Sequence, residues 1–84
     1  MTFLGLAEKV LSETKIPMTT GEIWLYAVKQ GYEQTLNTQG KTPWATLGAL
    51  IYVNARDNDK SLFAVVGSRP KRFYLRKFKS SINL

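Results

Sequence analysis

From Leu62 onward the apolar residues of this 84-residue chain alternate, whereas before it they recur at helical spacing. A change of period from about 3.6 to about 2 at one point constrains the fold strongly, because a helical pattern does not sit as a strand, nor the reverse. Leu62-Phe63-Ala64-Val65-Val66 reads as a strand with Phe63 and Val65 on one face. Arg72 to Phe78 reads as a second strand with Phe73 and Leu75 pointing inward. Gly67-Ser68-Arg69-Pro70-Lys71 lies between them as a loop, so the pair is expected to form a hairpin.

Upstream, Phe3, Leu4, Ala7, Val10 and Leu11 predict a first helix over residues 2–14. Pro17 disfavours helix at Ile16, so Lys15-Ile16-Pro17-Met18 is expected to be extended and able to add a strand to a later sheet. Thr19 and Glu22 have the spacing of a capping box, which opens a second helix with Ile23, Trp24 and Ala27 inward and Gly31 as its stop. Tyr32 to Gly40 is a polar connection with room for one short helical turn. Thr42 as N-cap and Pro43 at the first helical position start a third helix over residues 43–56. Asp57-Asn58-Asp59-Lys60-Ser61 is dense in turn formers and ends it.

The third helix is the unusual one. On a helical wheel Leu47, Leu50, Ile51 and Asn54 share one side, an ordinary core stripe. Ala45, Gly48, Ala49, Tyr52 and Arg56 share the other. An exposed helix face normally carries Glu, Lys and Gln. A smooth face without acid, edged by Lys41, Trp44, Tyr52 and Arg56, suits close approach to another large surface.

Charge indicates what that surface is. Residues 1–40 carry three lysines against four glutamates, a net of −1, while residues 41–84 carry nine Lys and Arg against two aspartates, a net of +7. Such asymmetry points to a polyanion at one face. Arg69, Lys71, Arg72, Arg76, Lys77 and Lys79 are interleaved with Phe73, Tyr74 and Phe78, and no acid follows Lys60. The plainer account makes Phe73 and Phe78 core residues and leaves Arg76 and Lys77 to solvate a strand. Loop cations reach phosphates most freely, which favours Arg69, Lys71 and Arg72 as binders.

Several chemistries are set aside. With no cysteine there is no disulfide framework or thiolate metal site, and with no histidine the usual zinc ligand and general base are missing. Glu13-Thr14-Lys15 has the acid-x-lysine spacing of metal-dependent nucleases, but no acid lies far enough upstream to share a metal. Asp57-x-Asp59 resembles the start of a calcium loop, yet Leu62 stands where that loop needs its turn glycine. Gly67 belongs to no phosphate-binding pattern. The chain is therefore expected not to be an enzyme and to need no cofactor. Its apolar runs are short for a membrane span, and Glu8 and Lys9 interrupt the start too early for a signal peptide, so a cytoplasmic location is expected, nucleoid-associated in a bacterium.

Three helices followed by a basic hairpin is the order of a winged helix–turn–helix, an α+β fold that is mainly α. Gly40-Lys41-Thr42-Pro43, Leu47-x-Ala49-x-Ile51-Tyr52, Leu62-Phe63 and Arg72-Phe73-Tyr74-Leu75 stand in the order and spacing of the HARE-HTH family. Pro17-Met18-Thr19 and Glu22-Ile23 fit as well, so the chain resembles that family over residues 3–78. Asn54-Ala55-Arg56 after Tyr52 is similar to the Asx-like branch. The family is a winged helix–turn–helix module found in restriction endonucleases, Asx-like chromatin regulators and the delta subunit of bacterial RNA polymerase.

The resemblance implies a double-stranded DNA-binding adaptor over residues 1–79, with residues 80–84 as an exit segment or the start of a linker. It implies the N-terminal targeting domain of a restriction-modification or other DNA-processing protein, with a fused or associated nuclease or methyltransferase and no membrane. Lys41, Thr42, Trp44, Ala45, Gly48, Ala49, Tyr52 and Arg56 are expected at the DNA from the third helix. Ser68, Arg69, Lys71, Arg72 and Arg76 are expected there from the wing. The small side chains also suit a preference for modified bases. The alternative is a protein-interaction adaptor that docks a partner through Trp44, Ala49 and Tyr52.

Overall fold

A computed structural model of the chain describes residues 2–35, 43–57, 61–67 and 69–81. Helix α1 spans Phe3–Thr14, α2 Thr20–Gln30 and α3 Pro43–Asp57, followed by strands β1, Phe63–Val66, and β2, Arg72–Leu75. Short 3₁₀ turns cover Tyr32–Thr35 and Arg76–Ser81. Three helices and an antiparallel two-stranded wing are thus observed in the expected order.

Local chemistry accounts for the boundaries. Thr2 caps α1, its Oγ1 accepting from Gly5 N–H at 3.0 Å. At α2 both halves of the capping box are present: Thr19 Oγ1 accepts from Glu22 N–H at 3.2 Å, and Glu22 Oε1 accepts from Thr19 N–H at 2.9 Å. Gly31 ends α2 at φ +79°, a left-handed conformation that costs glycine little.

Between α1 and α2 the chain does run extended. Met18 N–H donates to Phe73 O at 3.0 Å and Phe73 N–H donates to Met18 O at 2.8 Å, an antiparallel bridge on the edge of β2 away from β1. On the other edge Phe63 pairs with Leu75 and Val65 with Phe73. The core lies between this sheet and the helices. Leu6, Ala7, Val10 and Leu11 of α1, Ile23 and Ala27 of α2, Leu47 and Ile51 of α3, and Phe63, Phe73 and Leu75 of the wing are all buried in it.

Three expectations need correction. Leu50 is 42 % exposed and does not belong to the core stripe. It lies about 100° round the helix from Ile51, too far to share a face with it, whereas Gly48 lies only about 60° from Ile51 on the other side. The second strand ends at Leu75 and not at Phe78, because β1 offers it no residue beyond Phe63. Arg76 N–H makes one last bond to Leu62 O at 2.9 Å, and the chain then turns and packs Phe78 onto the core. Tyr74, on the opposite face from Phe73 and Leu75, is buried too. The first strand begins one residue late, leaving Leu62 exposed.

The back of the molecule is tied by one carboxylate. Tyr32 Oη donates to both oxygens of Glu13 at 2.7 and 2.8 Å, and Tyr26 Oη donates to Glu13 Oε1 at 3.2 Å. The hydrogen bond to Glu13 pushes the Tyr32 phenol up to about 12, with lost solvation and the carboxylate's charge adding to it. Desolvation, then the same carboxylate, raises Tyr26. Both phenols are held protonated in the fold, so these contacts contribute stability below pH about 10 and lose it as pH rises towards about 12. A phenolate absorbance titration checks this. Among the four tyrosines Tyr32 is expected to ionise last, and Glu13→Gln to bring its midpoint down towards about 10. A common midpoint near 10 for all four would contradict the arrangement.

Candidate nucleic-acid interface

The outer face of α3 consists of Ala45, Thr46, Ala49, Leu50, Val53 and Arg56, all exposed. None of these six is an acid, and Arg56 is the one charge among them. Thr46, Leu50 and Val53 were not expected there. The signal that identifies them is the helical phase: with Leu47 and Ile51 fully buried, the side opposite them passes through Ala45, Ala49, Val53 and Arg56.

Gly48 and Trp44 sit elsewhere than expected. Gly48 faces α2, where an added Cβ would lie 2.8 Å from Thr20 Oγ1 and 3.1 Å from Thr20 Cγ2. Its missing side chain is what lets the two helices approach. Trp44 is 45 % exposed and belongs to an apolar groove of about 430 Å³ with Gly21, Trp24, Leu25 and Val28. Leu25, 69 % exposed, is the most exposed large apolar side chain among the described residues. Tyr52 is half-buried at the junction with the wing. The single face expected through Ala45, Gly48, Ala49, Tyr52 and Trp44 therefore divides into an outer face, a helix–helix contact and a groove. Lys41, Thr42 and Ser68 lie outside the described residues.

The cations differ in how they are held. Lys71 Nζ stands 4.0 Å from the Tyr52 ring centroid, and the Arg56 guanidinium 5.5 Å from the same ring. One aromatic ring thus holds a cation of α3 and a cation of the wing loop on the same side of the molecule. Arg72 Nε lies 3.8 Å from Glu22 Oε1, a loose exposed pair. Arg76 is tied back, its Nε donating to Phe63 O at 3.1 Å. Arg69 is exposed and has no ion-pair partner among the described residues. The Glu22 carboxyl is held below its ordinary value, first by the backbone and side chain of Thr19 and further by Arg72.

The described residues contain no group of three or more His, Cys, Asp or Glu able to hold a metal, and none of their helices is long and apolar enough to cross a membrane.

Three helices, a short strand pairing beside the wing, and cations on the wing and α3 around one tyrosine define a winged helix–turn–helix domain. The chain belongs to the HARE-HTH family: residues 1–78 match the family model, whose description names the HTH domain of ASXL and restriction endonuclease proteins. No curated protein and no solved structure matches it. The family suggests a DNA-binding helix–turn–helix domain, not a catalytic one.

The helix–helix contact yields a stability prediction. Gly48→Ala gains about 1 kcal/mol of helix propensity but overpacks a contact where both Thr20 branches already face the new methyl, at a cost of about 1–3 kcal/mol. The net expectation is a loss near ~1 kcal/mol, or roughly 4–8 °C in Tm for a domain of this size. Thr20→Ala in the same chain is expected to restore the melting temperature by vacating the space. A Gly48→Ala protein that melts at or above the parent temperature would place Gly48 outside the contact.

Proposed function

We propose that this domain binds double-stranded DNA, with the outer face of α3 in the major groove and Arg69, Lys71 and Arg72 of the wing on phosphates or in the adjacent minor groove. The observation that carries the reading is the pairing of an acid-free α3 face with wing cations, through the Tyr52 ring that Arg56 and Lys71 share. Phosphate contacts supply affinity and register, while base edges supply specificity. On the α3 face Thr46 and Arg56 offer hydrogen bonds, and Ala45, Ala49, Leu50 and Val53 offer only apolar contact. Thymine methyl groups, or methyl groups on modified bases, are the natural apolar partners on the groove floor. Such a module targets a larger DNA-processing protein, as in a restriction-modification system, to its substrate in the cytoplasm or nucleoid.

A second reading has its own observation. The groove of Trp24, Leu25, Val28 and Trp44 is an exposed apolar surface on a small domain, and such patches mark protein contacts. It moves the protein-docking alternative away from Ala49 and Tyr52. Salt separates the two readings, since counterion release weakens phosphate binding and leaves apolar docking nearly unchanged.

Duplex binding without metal is expected to weaken on the order of tenfold or more between about 50 and 200 mM salt, given about three phosphate contacts. A flat response counts against the DNA reading. Replacing Arg69, Lys71 and Arg72 together by alanine is expected to weaken all duplexes similarly at an unchanged melting temperature. Ala49→Glu is expected to abolish binding by clash and repulsion, and Arg56→Ala to weaken it more mildly. Competition among matched unmodified, 5-methylcytosine and N6-methyladenine duplexes tests the modified-base preference, and equal affinities within about twofold would remove it.

A further inference from the structure

The N-terminus of α2, the middle of α3 and the wing loop converge on a concavity of about 410 Å³, lined in part by Thr19, Thr20, Gly21, Tyr52, Pro70 and Lys71. One acid stands at this junction. Of the glutamates, Glu13 is bound to Tyr26 and Tyr32, Glu8 lines a separate groove with Thr2 and Ser61, and Glu33 lies in the 3₁₀ turn after α2. Glu22 alone faces the wing, 3.8 Å from Arg72. Its carboxylate does not roam, since the bond from Thr19 N–H fixes Oε1 at the helix start. A fixed carboxylate competes for a cation at a smaller entropic cost than a free side chain does.

We propose that Glu22 is an intramolecular competitor for the DNA phosphate at Arg72. The inference rests on the DNA-binding reading and adds a control to the same site. A phosphate that approaches Arg72 must displace Glu22 or share the guanidinium with it, and it meets a like charge either way. Arg72 is thus partly neutralised before DNA arrives. Lys71, over a neutral ring, and Arg69 keep their full charge for the backbone. The consequence is a lower sequence-independent affinity, so that binding leans more on what α3 contacts.

Glu22→Gln isolates the charge, because glutamine at this position still closes the capping box. Binding to a duplex of arbitrary sequence is measured for the parent, Glu22→Gln, Arg72→Ala and the double variant, each with its melting temperature, from about 50 to 200 mM salt. Glu22→Gln is expected to tighten binding about two- to fivefold at the low-salt end. The slope of log affinity against log salt is expected to steepen by about 0.9, one further phosphate contact. In the Arg72→Ala background at least half of that gain is expected to vanish. A second comparison does not depend on Glu22→Gln alone: in the parent, Arg72→Ala is expected to cost less affinity than Lys71→Ala. Unchanged affinity in Glu22→Gln, an equal gain with and without Arg72, or an Arg72→Ala loss as large as that of Lys71→Ala would each overturn the competition. If neither the parent nor Glu22→Gln binds any duplex at low salt, the DNA reading itself fails, an outcome distinct from those three.

Discussion

Phe73 joins the two halves of this domain. Its backbone bonds to Met18 on one side and lies opposite Val65 on the other, while its ring is buried among the helices. The wing is therefore anchored to the segment between α1 and α2 through main-chain bonds as well as packing. A lone two-stranded hairpin is marginal in water, and the added bridge with a shared core is what gives this one a fixed position. Everything proposed for the wing depends on that anchoring. Lys71 and Arg72 come next before Phe73 in the chain, so their placement beside Tyr52 and Glu22 follows from where Phe73 is held.

The same anchoring explains the spread of the cations. Arg76, past the far end of β2, is drawn back to the β1 backbone and has little reach left. Toward the loop end Lys71 rests on a ring and Arg72 on a carboxylate, both exposed contacts that break at small cost. Free cations on long side chains lose much rotamer freedom on binding. Cations already leaning against Tyr52 and Glu22 lose less, and they differ in what they must give up. Wing charge is thus graded along the strand: high toward the loop, spent on the fold at Arg76.

Much of this was legible in the chain. Pro17 forced an extended piece, Thr19 and Glu22 marked the start of α2, Gly31 its stop, and alternation after Leu62 the wing, because each signal is local chemistry that tertiary packing has no reason to override. What was not legible depended on neighbours. Leu50 looked like core because it is apolar, yet apolarity does not fix helical phase, and only the burial of Leu47 and Ile51 does. Gly48 looked like part of a smooth outer face, and its true reason, the Thr20 side chain across the helix pair, lies 28 positions away in sequence. The end of β2 was invisible for a similar reason, since it is set by where β1 begins. For the candidate interface, the identity of the wing cations could be read, whereas their partners Tyr52, Glu22 and Phe63 could not.

The exposed apolar residues carry the last step. Leu25, Val28, Trp44, Leu50 and Val53 are each at least 42 % exposed in a domain of 84 residues. Full burial of one such side chain is worth about 1.5–3 kcal/mol, and total stability of a domain is only about 5–15 kcal/mol. Single exposed leucines are ordinary, but these fall into two sets that the fold separates: Leu25, Val28 and Trp44 on the α2 side, Leu50 and Val53 on the outer face of α3. The α3 set lies beside the cations held at Tyr52, where a polyanion with an apolar groove floor makes use of both. The α2 set has no cation cluster beside it. One ligand therefore does not account for both surfaces, and the division favours a domain that holds DNA with α3 and the wing while α2 and Trp44 stay available to protein.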